Sequence, residues 1–139
     1  MIKVSKSSDK QLKKFGQAEW PFADKEHYGK QVNYNVKEFV YKATDNNKIV
    51  GSIKGKLEAG VLYIDYLIVA HDKTGQGIGK ALTQKLETKA KKLGAHKFHL
   101  ITGKGWLAEK FYQVLGYKPI AILSKHHFKK DFVVYEKLI

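Results

Sequence analysis

A glycine-rich loop at residues 74–80 separates an apolar, strand-like segment from a helix-like segment. The loop reads Thr-Gly-Gln-Gly-Ile-Gly-Lys, follows the apolar run Val61–Val69, and opens the amphipathic run 78–93. Its closely spaced glycines allow the backbone to turn tightly and to approach a ligand. Free N–H groups in the first turn of the following helix favour negative charge at this point. The sequence therefore predicts a pyrophosphate cradle, with a tight turn that binds nothing as the alternative.

Two familiar phosphate-binding loops do not fit this segment. A Walker A loop requires Gly-x-x-x-x-Gly-Lys-Ser/Thr, but Thr74 stands at its first glycine and Ala81 at its hydroxyl position. The dinucleotide fingerprint Gly-x-Gly-x-x-Gly matches Gly75 and Gly77 but fails at Lys80. The pattern therefore favours a third kind of cradle.

A second motif lies downstream, where residues 108–117 read Ala-Glu-Lys-Phe-Tyr-Gln-Val-Leu-Gly-Tyr. Together the two segments resemble the GCN5-related N-acetyltransferases. That family's loop reads Arg/Gln-x-x-Gly-x-Gly/Ala, and its second signature reads Ala-x-x-Leu/Phe-Tyr-x-x-Leu-Gly-Phe/Tyr. Thr74 departs from the usual Arg or Gln, and Gly105 departs from the Asn usually found three residues before the Ala. The resemblance extends over residues 36–139.

The resemblance implies an α/β fold with a mixed, mostly antiparallel central sheet flanked by helices. A chain of 139 residues suits one domain, so we expect a single N-acetyltransferase domain over 1–139. Periodicity and turn residues predict helices at 7–19, 78–93 and 104–115. A second short turn or helix is expected at 24–30, separated from the first helix by Trp20, Pro21 and Phe22. They also predict strands at 36–43, 49–58, 62–69, 96–102, 119–123 and 132–138. The third strand is almost continuously apolar, which predicts coverage on both faces.

Acetyl-CoA is the cosubstrate that the resemblance implies. Contacts to its pantetheine arm are expected at the end of the third strand, from Leu67, Ile68 and Val69. The loop is expected to bind its pyrophosphate, mainly through backbone N–H groups, at Thr74, Gly75, Gln76, Gly77, Ile78, Gly79 and Lys80.

The implied reaction transfers an acetyl group directly to an amine within a ternary complex. An amine attacks only when neutral, and removing a proton from a lysine-like amine at pH 7 costs roughly 4–5 kcal/mol, so a base is useful. Asp65 is the candidate base because an ionised carboxylate within an apolar strand needs a reason. The alternatives are a structural Asp at a solvated edge or paired with a Lys, and a base that acts through a chain of waters. The resemblance implies that Tyr112 is the general acid for the leaving thiolate, with core packing as the alternative.

Composition narrows the remaining choices. The chain has no cysteine, so disulfides, thiolate metal sites and an acetyl-cysteine intermediate are excluded, and we expect a cytoplasmic location.

No metal site is predicted: adjacent His126 and His127 would point to opposite faces of an extended chain, and a polar loop that could border the acceptor pocket is the favoured interpretation. No apolar run long enough for a membrane span is present. The net charge of +13 should attract anions such as coenzyme A and nucleic acids.

The sequence thus predicts an acetyltransferase for an amine-bearing small molecule or protein, and it leaves the acceptor's identity and the oligomeric state open. The resemblance also makes Trp20, Phe22, His27 and Tyr28 candidates for acceptor contact, with packing as the alternative for the first two. A basic nucleic-acid-binding domain or a CoA sensor on the same fold, without turnover, is the second hypothesis.

Overall fold

A computed structural model describes all residues 1–139, which divide into two compact units, Met1–Tyr34 and Asn35–Ile139. The first unit is built on one helix, α1, Asp9–Tyr28. The Ser8 side chain accepts a hydrogen bond from the backbone N–H of Gln11 and thereby caps the helix. None of the protein's helices is long and apolar enough to cross a membrane.

The predicted break near residues 20–22 is wrong, because α1 runs through it with Pro21 in its interior. A proline inside a helix removes one backbone hydrogen bond and crowds the preceding turn. The helix nevertheless continues through Pro21 and ends at Gly29, which adopts a left-handed conformation (φ 76°). Two short helices are therefore replaced by a single helix of 20 residues.

The second unit contains a six-stranded sheet in the order β1-β2-β3-β4-β6-β5. Its strands are β1 Lys37–Asp45, β2 Lys48–Glu58, β3 Val61–Val69, β4 Lys97–Gly103, β5 Lys118–Leu123 and β6 Phe132–Leu138. Only the β3–β4 pair is parallel; the other neighbours are antiparallel. Two helices flank the sheet, α2 Ile78–Lys92 and α3 Leu107–Val114. The predicted fold class is confirmed.

Helix α2 approaches β2 closely because two glycines face it. A Cβ at Gly51 would come within 2.9 Å of the Ile78 side chain, and a Cβ at Gly55 would come within 2.9 Å of Leu86. The buried face of α2 carries Leu82, Thr83, Leu86, Glu87 and Ala90. Its aliphatic members follow the helical period of the amphipathic run 78–93, whereas Leu93, the last residue of that run, ends the helix and is partly exposed.

Helix α3 begins three residues later than predicted. Gly105 has φ +83°, which a right-handed helix cannot contain, and Trp106 stands in an extended conformation as the N-cap. The backbone N–H of Gly105 donates to the Glu109 carboxylate over 2.6 Å, so a side chain from the first turn fixes the entry into the helix.

Candidate active site

Strands β3 and β4 diverge after a short parallel pairing, and this divergence creates the site. The pairing covers only Val61 to Tyr63 on β3. Beyond it, β3 continues beside β2, while β4 continues beside β6. The prediction that β3 is covered on both faces is therefore wrong for its second half, where Ile68 is 63% exposed.

A β-bulge on β3 coincides with the point of divergence. Lys54 of β2 is opposite Tyr66 and the next residue, Gly55, is opposite Ile64, so Asp65 is the extra residue on β3. Bulges re-aim side chains and often occur beside functional sites. Asp65 is exposed, which means that its carboxylate is solvated, and the sequence argument from a buried charge does not apply.

One cavity of the second unit, called here the first cavity, has a volume of about 560 Å³ and is bordered by the glycine-rich loop. It is lined by Leu67, Val69, Lys73, Thr74, Gly75, Gly77, Ile78, Gly79, Lys80, Leu107, Ala108, Phe111 and Tyr112. Nine of the predicted site residues therefore come together here. Ile68 and Gln76, two further predicted contacts, do not line this cavity.

The loop geometry suits an anion. Gly75 and Gly77 have φ of 78° and 82°, values that glycine adopts without steric cost. No side chain caps the N-terminus of α2, and its first turn contains no acidic residue. The orphan N–H groups and the positive end of the helix dipole therefore face an environment to which Lys73 and Lys80 add positive charge.

Tyr112 lies on the inner face of α3 and is 6% exposed. Its ring makes edge contacts with the rings of Phe111 and Tyr117, with centroids 5.0 Å and 5.5 Å away. Burial raises the pKa of Tyr112 to about 12, because a phenolate would lose its hydration. The hydroxyl therefore keeps its proton at neutral pH and is available as a donor.

A second cavity, of about 420 Å³, shares Leu67, Ala108 and Tyr112 with the first. Asp65 lines it together with Ile64, Tyr66, Leu100, Ile101, Thr102, Trp106, His127, Phe128 and Phe132. The two cavities thus meet between the diverging strands, beside Tyr112. The loop is on one side of this meeting point and the Asp65 carboxylate is on the other.

The histidine pair does not adopt the predicted extended arrangement. His126 and His127 lead into a short 3-10 helix, His127–Lys129, and their rings stack with centroids 4.4 Å apart. Both rings also contact Phe132. The pair points to one side because the chain turns here, and His127 reaches the second cavity. No group of three or more metal-binding side chains forms in the structure.

Sequence reasoning missed most walls of the second cavity. Trp106 lies between Gly105, which departs from the resembled family's pattern, and Ala108, which opens the second motif. Phe128 directly follows the two histidines. A large aromatic residue at a helix start, and another in a polar loop, are signals that could have indicated them. The candidates Trp20, Phe22, His27 and Tyr28 lie on α1 of the first unit and are all exposed.

Comparisons with known proteins agree with this geometry. The model of the acetyltransferase (GNAT) domain family matches residues 4–135, whereas no curated protein matches the chain. A solved acetyltransferase from Bacillus cereus is 18% identical with a TM-score of 0.76, covering 99% of this chain and 98% of that one. The ribosomal-protein-S18-alanine N-acetyltransferase of Escherichia coli is 18% identical with a TM-score of 0.68, covering 97% and 92%.

A GNAT family acetyltransferase from Elizabethkingia anophelis, solved with acetyl-CoA bound, is 22% identical with a TM-score of 0.66, covering 72% of this chain and 75% of that one. At such identities the neighbours demonstrate a shared fold, while the family match extends across nearly the whole sequence. The chain belongs to the GNAT family of acetyltransferases.

Proposed function

We propose that this protein is an N-acetyltransferase that transfers the acetyl group of acetyl-CoA directly to an amine in a ternary complex. The observation that carries the proposal is the meeting of two cavities beside Tyr112. One has the chemistry of an anion site, and the other has a single carboxylate, Asp65, which suits a cation. The family match through both units supports treating residues 1–139 as one catalytic domain.

The first cavity fits acetyl-CoA. Backbone N–H groups from the loop and the first turn of α2 would bind the pyrophosphate, with Gly77, Gly79 and Lys80 at the centre of the cradle. Leu67 and Val69, with the neighbouring Ile68 backbone, would contact the pantetheine arm along the edge of β3 that β4 leaves unpaired. The remaining predicted contacts, Thr74, Gly75, Gln76 and Ile78, complete the loop.

The second cavity would hold the acceptor. The E. coli neighbour is named for the alanine of a ribosomal protein, and an amine is the acceptor class that the Asp65 carboxylate would attract here. Asp65 would take a proton from the acceptor's ammonium group, directly or through water, and the neutral nitrogen would then be free to react.

Acetyl-CoA supplies an acyl group activated as a thioester. As the new N–C bond forms at the carbonyl carbon, the C–S bond breaks and its electron pair leaves on sulfur. The nitrogen's remaining extra proton passes to water, and the thiolate takes a proton from water to give CoA. Tyr112 would donate a hydrogen bond to the sulfur as negative charge develops there. Because a thiol titrates near 8.5 and the pKa of Tyr112 is about 12, hydrogen bonding is favoured over complete proton transfer.

Thermal denaturation and a free-thiol assay together test the proposal. Acetyl-CoA at a hundred times its dissociation constant should raise the free energy of unfolding by about 2.7 kcal/mol, and CoA should act similarly, whereas ATP should have less effect. An amine acceptor should then release free thiol. The absence of a shift with either CoA species would reject the cofactor site; a shift without thiol release from any amine would favour a CoA-sensing domain.

A further inference from the structure

The second cavity has walls that select among amines. The geometry points to an acceptor that is a small primary amine carrying one aromatic ring, with its ammonium group at Asp65 and its ring between Trp106, Phe128 and Phe132. This inference rests on the proposed function, because it names the substrate class of the same site.

The lining of the cavity is aromatic on several sides. Six of its thirteen lining residues carry rings: Tyr66, Trp106, Tyr112, His127, Phe128 and Phe132. Most of the others are aliphatic. Flat rings pack well against such walls in offset or edge-to-face contacts, and a cation is stabilised over a ring face. A cavity of about 420 Å³ lies at the small-molecule end of the range for ligand sites.

The charges of the cavity favour a monoamine. Asp65 is its only carboxylate, and none of the chain's lysines lines it. This is informative in a protein with 26 Lys+Arg residues, because a cationic acceptor meets no like charge among the lining residues. A polyamine would leave its further ammonium groups without a carboxylate partner, next to a surface of net charge +13.

Two of the aromatic walls, Trp106 and Phe132, pack against each other. The Trp106 indole packs directly on the backbone of Gly103, where it occupies the space that a Cβ would need. Its ring also contacts Phe132 edge-on, with centroids 5.4 Å apart. Rings packed in this way give a pocket a defined width, which favours a flat group over a flexible chain.

The third wall is held out into solvent. Phe128 is 97% exposed and has φ 52°, a backbone conformation that is costly for a bulky residue. Its loop is anchored at the base, because the N–H of Lys125 donates to the Asp131 side chain over 3.0 Å and the N–H of His126 donates to the carbonyl of Lys130 over 2.8 Å. The strained, exposed Phe128 ring at the mouth of the cavity is positioned to cover a ligand. The ligand's own ring would supply the packing that the Phe128 side chain lacks.

An acceptor panel tests the inference with the full chain at saturating acetyl-CoA. The probes are 2-phenylethylamine, n-butylamine, spermidine and trialanine, and thiol release gives kcat/KM for each. Burial of a phenyl ring should favour 2-phenylethylamine over n-butylamine by about 10- to 100-fold, mainly through KM. Equal values for these two amines, or a higher value for spermidine or trialanine, would overturn the inference.

Substitutions in the cavity walls distinguish binding of the substrate's ring in this cavity from a general loss of activity. Phe128→Ala and Trp106→Leu should each reduce the ratio of kcat/KM between 2-phenylethylamine and n-butylamine by about tenfold. Ile122→Ala is the matched control, since Ile122 is exposed on β5 and lines neither cavity, and it should keep the parent's ratio. If both wall variants also keep that ratio, the ring does not bind here.

A binding measurement distinguishes failure of this inference from failure of the proposed function. Calorimetric titration with CoA present should give a lower dissociation constant for 2-phenylethylamine than for n-butylamine, and Phe128→Ala should narrow the difference. Preferential binding without thiol release from any probe would reject transfer while supporting the pocket's selectivity. Thiol release without preferential binding would support transfer and reject the selectivity.

Discussion

The Tyr117 hydroxyl donates a hydrogen bond of 2.6 Å to the buried carboxylate of Glu87. This bond joins the segment that follows α3 to the middle of α2, and Lys137 lies 3.5 Å from the same carboxylate. Helix α2 begins at the glycine-rich loop and α3 carries Tyr112. The buried bond therefore links the two helices that border the first cavity.

Removing this bond should destabilise the protein. Tyr117→Phe leaves a buried carboxylate with one partner fewer, so we expect the free energy of unfolding to fall by about 1.5–3 kcal/mol, as for hydrogen bonds to charged groups. Urea denaturation measures this change. In a double-mutant cycle with Glu87→Gln, the two effects should be strongly non-additive; simple additivity would show that the two side chains do not act as a pair.

Stability should decline at alkaline pH. Burial raises the pKa of Tyr112 to about 12, and burial together with Glu87 raises the pKa of Tyr117 further. Because the folded-state values lie above the unfolded value near 10, the folded protein holds more protons above pH 10. The stability that these two phenols contribute is thus fully present below pH 10 and is lost as the pH rises towards 12 and beyond.

Denaturation at intervals between pH 9 and 12 measures this loss. Tyr117→Phe removes one of the buried phenols with a raised pKa, so its stability should fall less steeply with pH than that of the parent protein. Parallel curves would contradict the assigned role of Tyr117.

The order of strands and helices was predictable because each element has its own period and turn residues, but the site's shape was not. Alternating or continuous apolar residues cannot distinguish a strand paired on both sides from one such as β3, whose Ile68 is exposed where β4 departs. Glu87 was missed because its partner lies 30 residues away in sequence. Pro21 was over-interpreted as a helix break, since local cost alone does not end a helix.

The glycine-rich loop should be sensitive to a side chain at Gly77. Gly77→Val puts a branched residue at a position with φ 82°, which costs about 1–2 kcal/mol of backbone strain, and it fills space in the first cavity. We expect acetyl-CoA affinity to fall at least tenfold in a calorimetric titration, because the backbone N–H groups are screened from the pyrophosphate.

Gly94→Val is the matched control for that substitution. Gly94 has φ 94° and follows the opposite end of α2, where it lines neither cavity. It should show similar destabilisation and unchanged acetyl-CoA affinity. Equal affinity in both variants and the parent would mean that the pyrophosphate binds elsewhere.

Tyr112→Phe should lower turnover more than cofactor affinity. The substitution keeps the ring contacts with Phe111 and Tyr117 but removes the hydroxyl that would donate a hydrogen bond to the leaving sulfur. We expect kcat to fall about 10²-fold or more with the acetyl-CoA dissociation constant nearly unchanged. Tyr41→Phe, on β1 and outside both cavities, should leave kcat intact, whereas an unchanged kcat in Tyr112→Phe would assign that hydroxyl to packing.

Asp65→Asn tests the proposed base. The amide retains the size of the carboxylate but loses its charge and proton affinity, so the rate at neutral pH should fall by about 10² or more. The loss should shrink as the pH rises, because a growing fraction of the acceptor amine is already neutral. Asp45→Asn, at the exposed end of β1, is the control and should follow the parent's pH–rate profile. If Asp65→Asn also follows that profile, the amine's proton leaves through water alone; a loss that stays constant with pH would instead mean that Asp65 orients the acceptor's ammonium group without removing its proton.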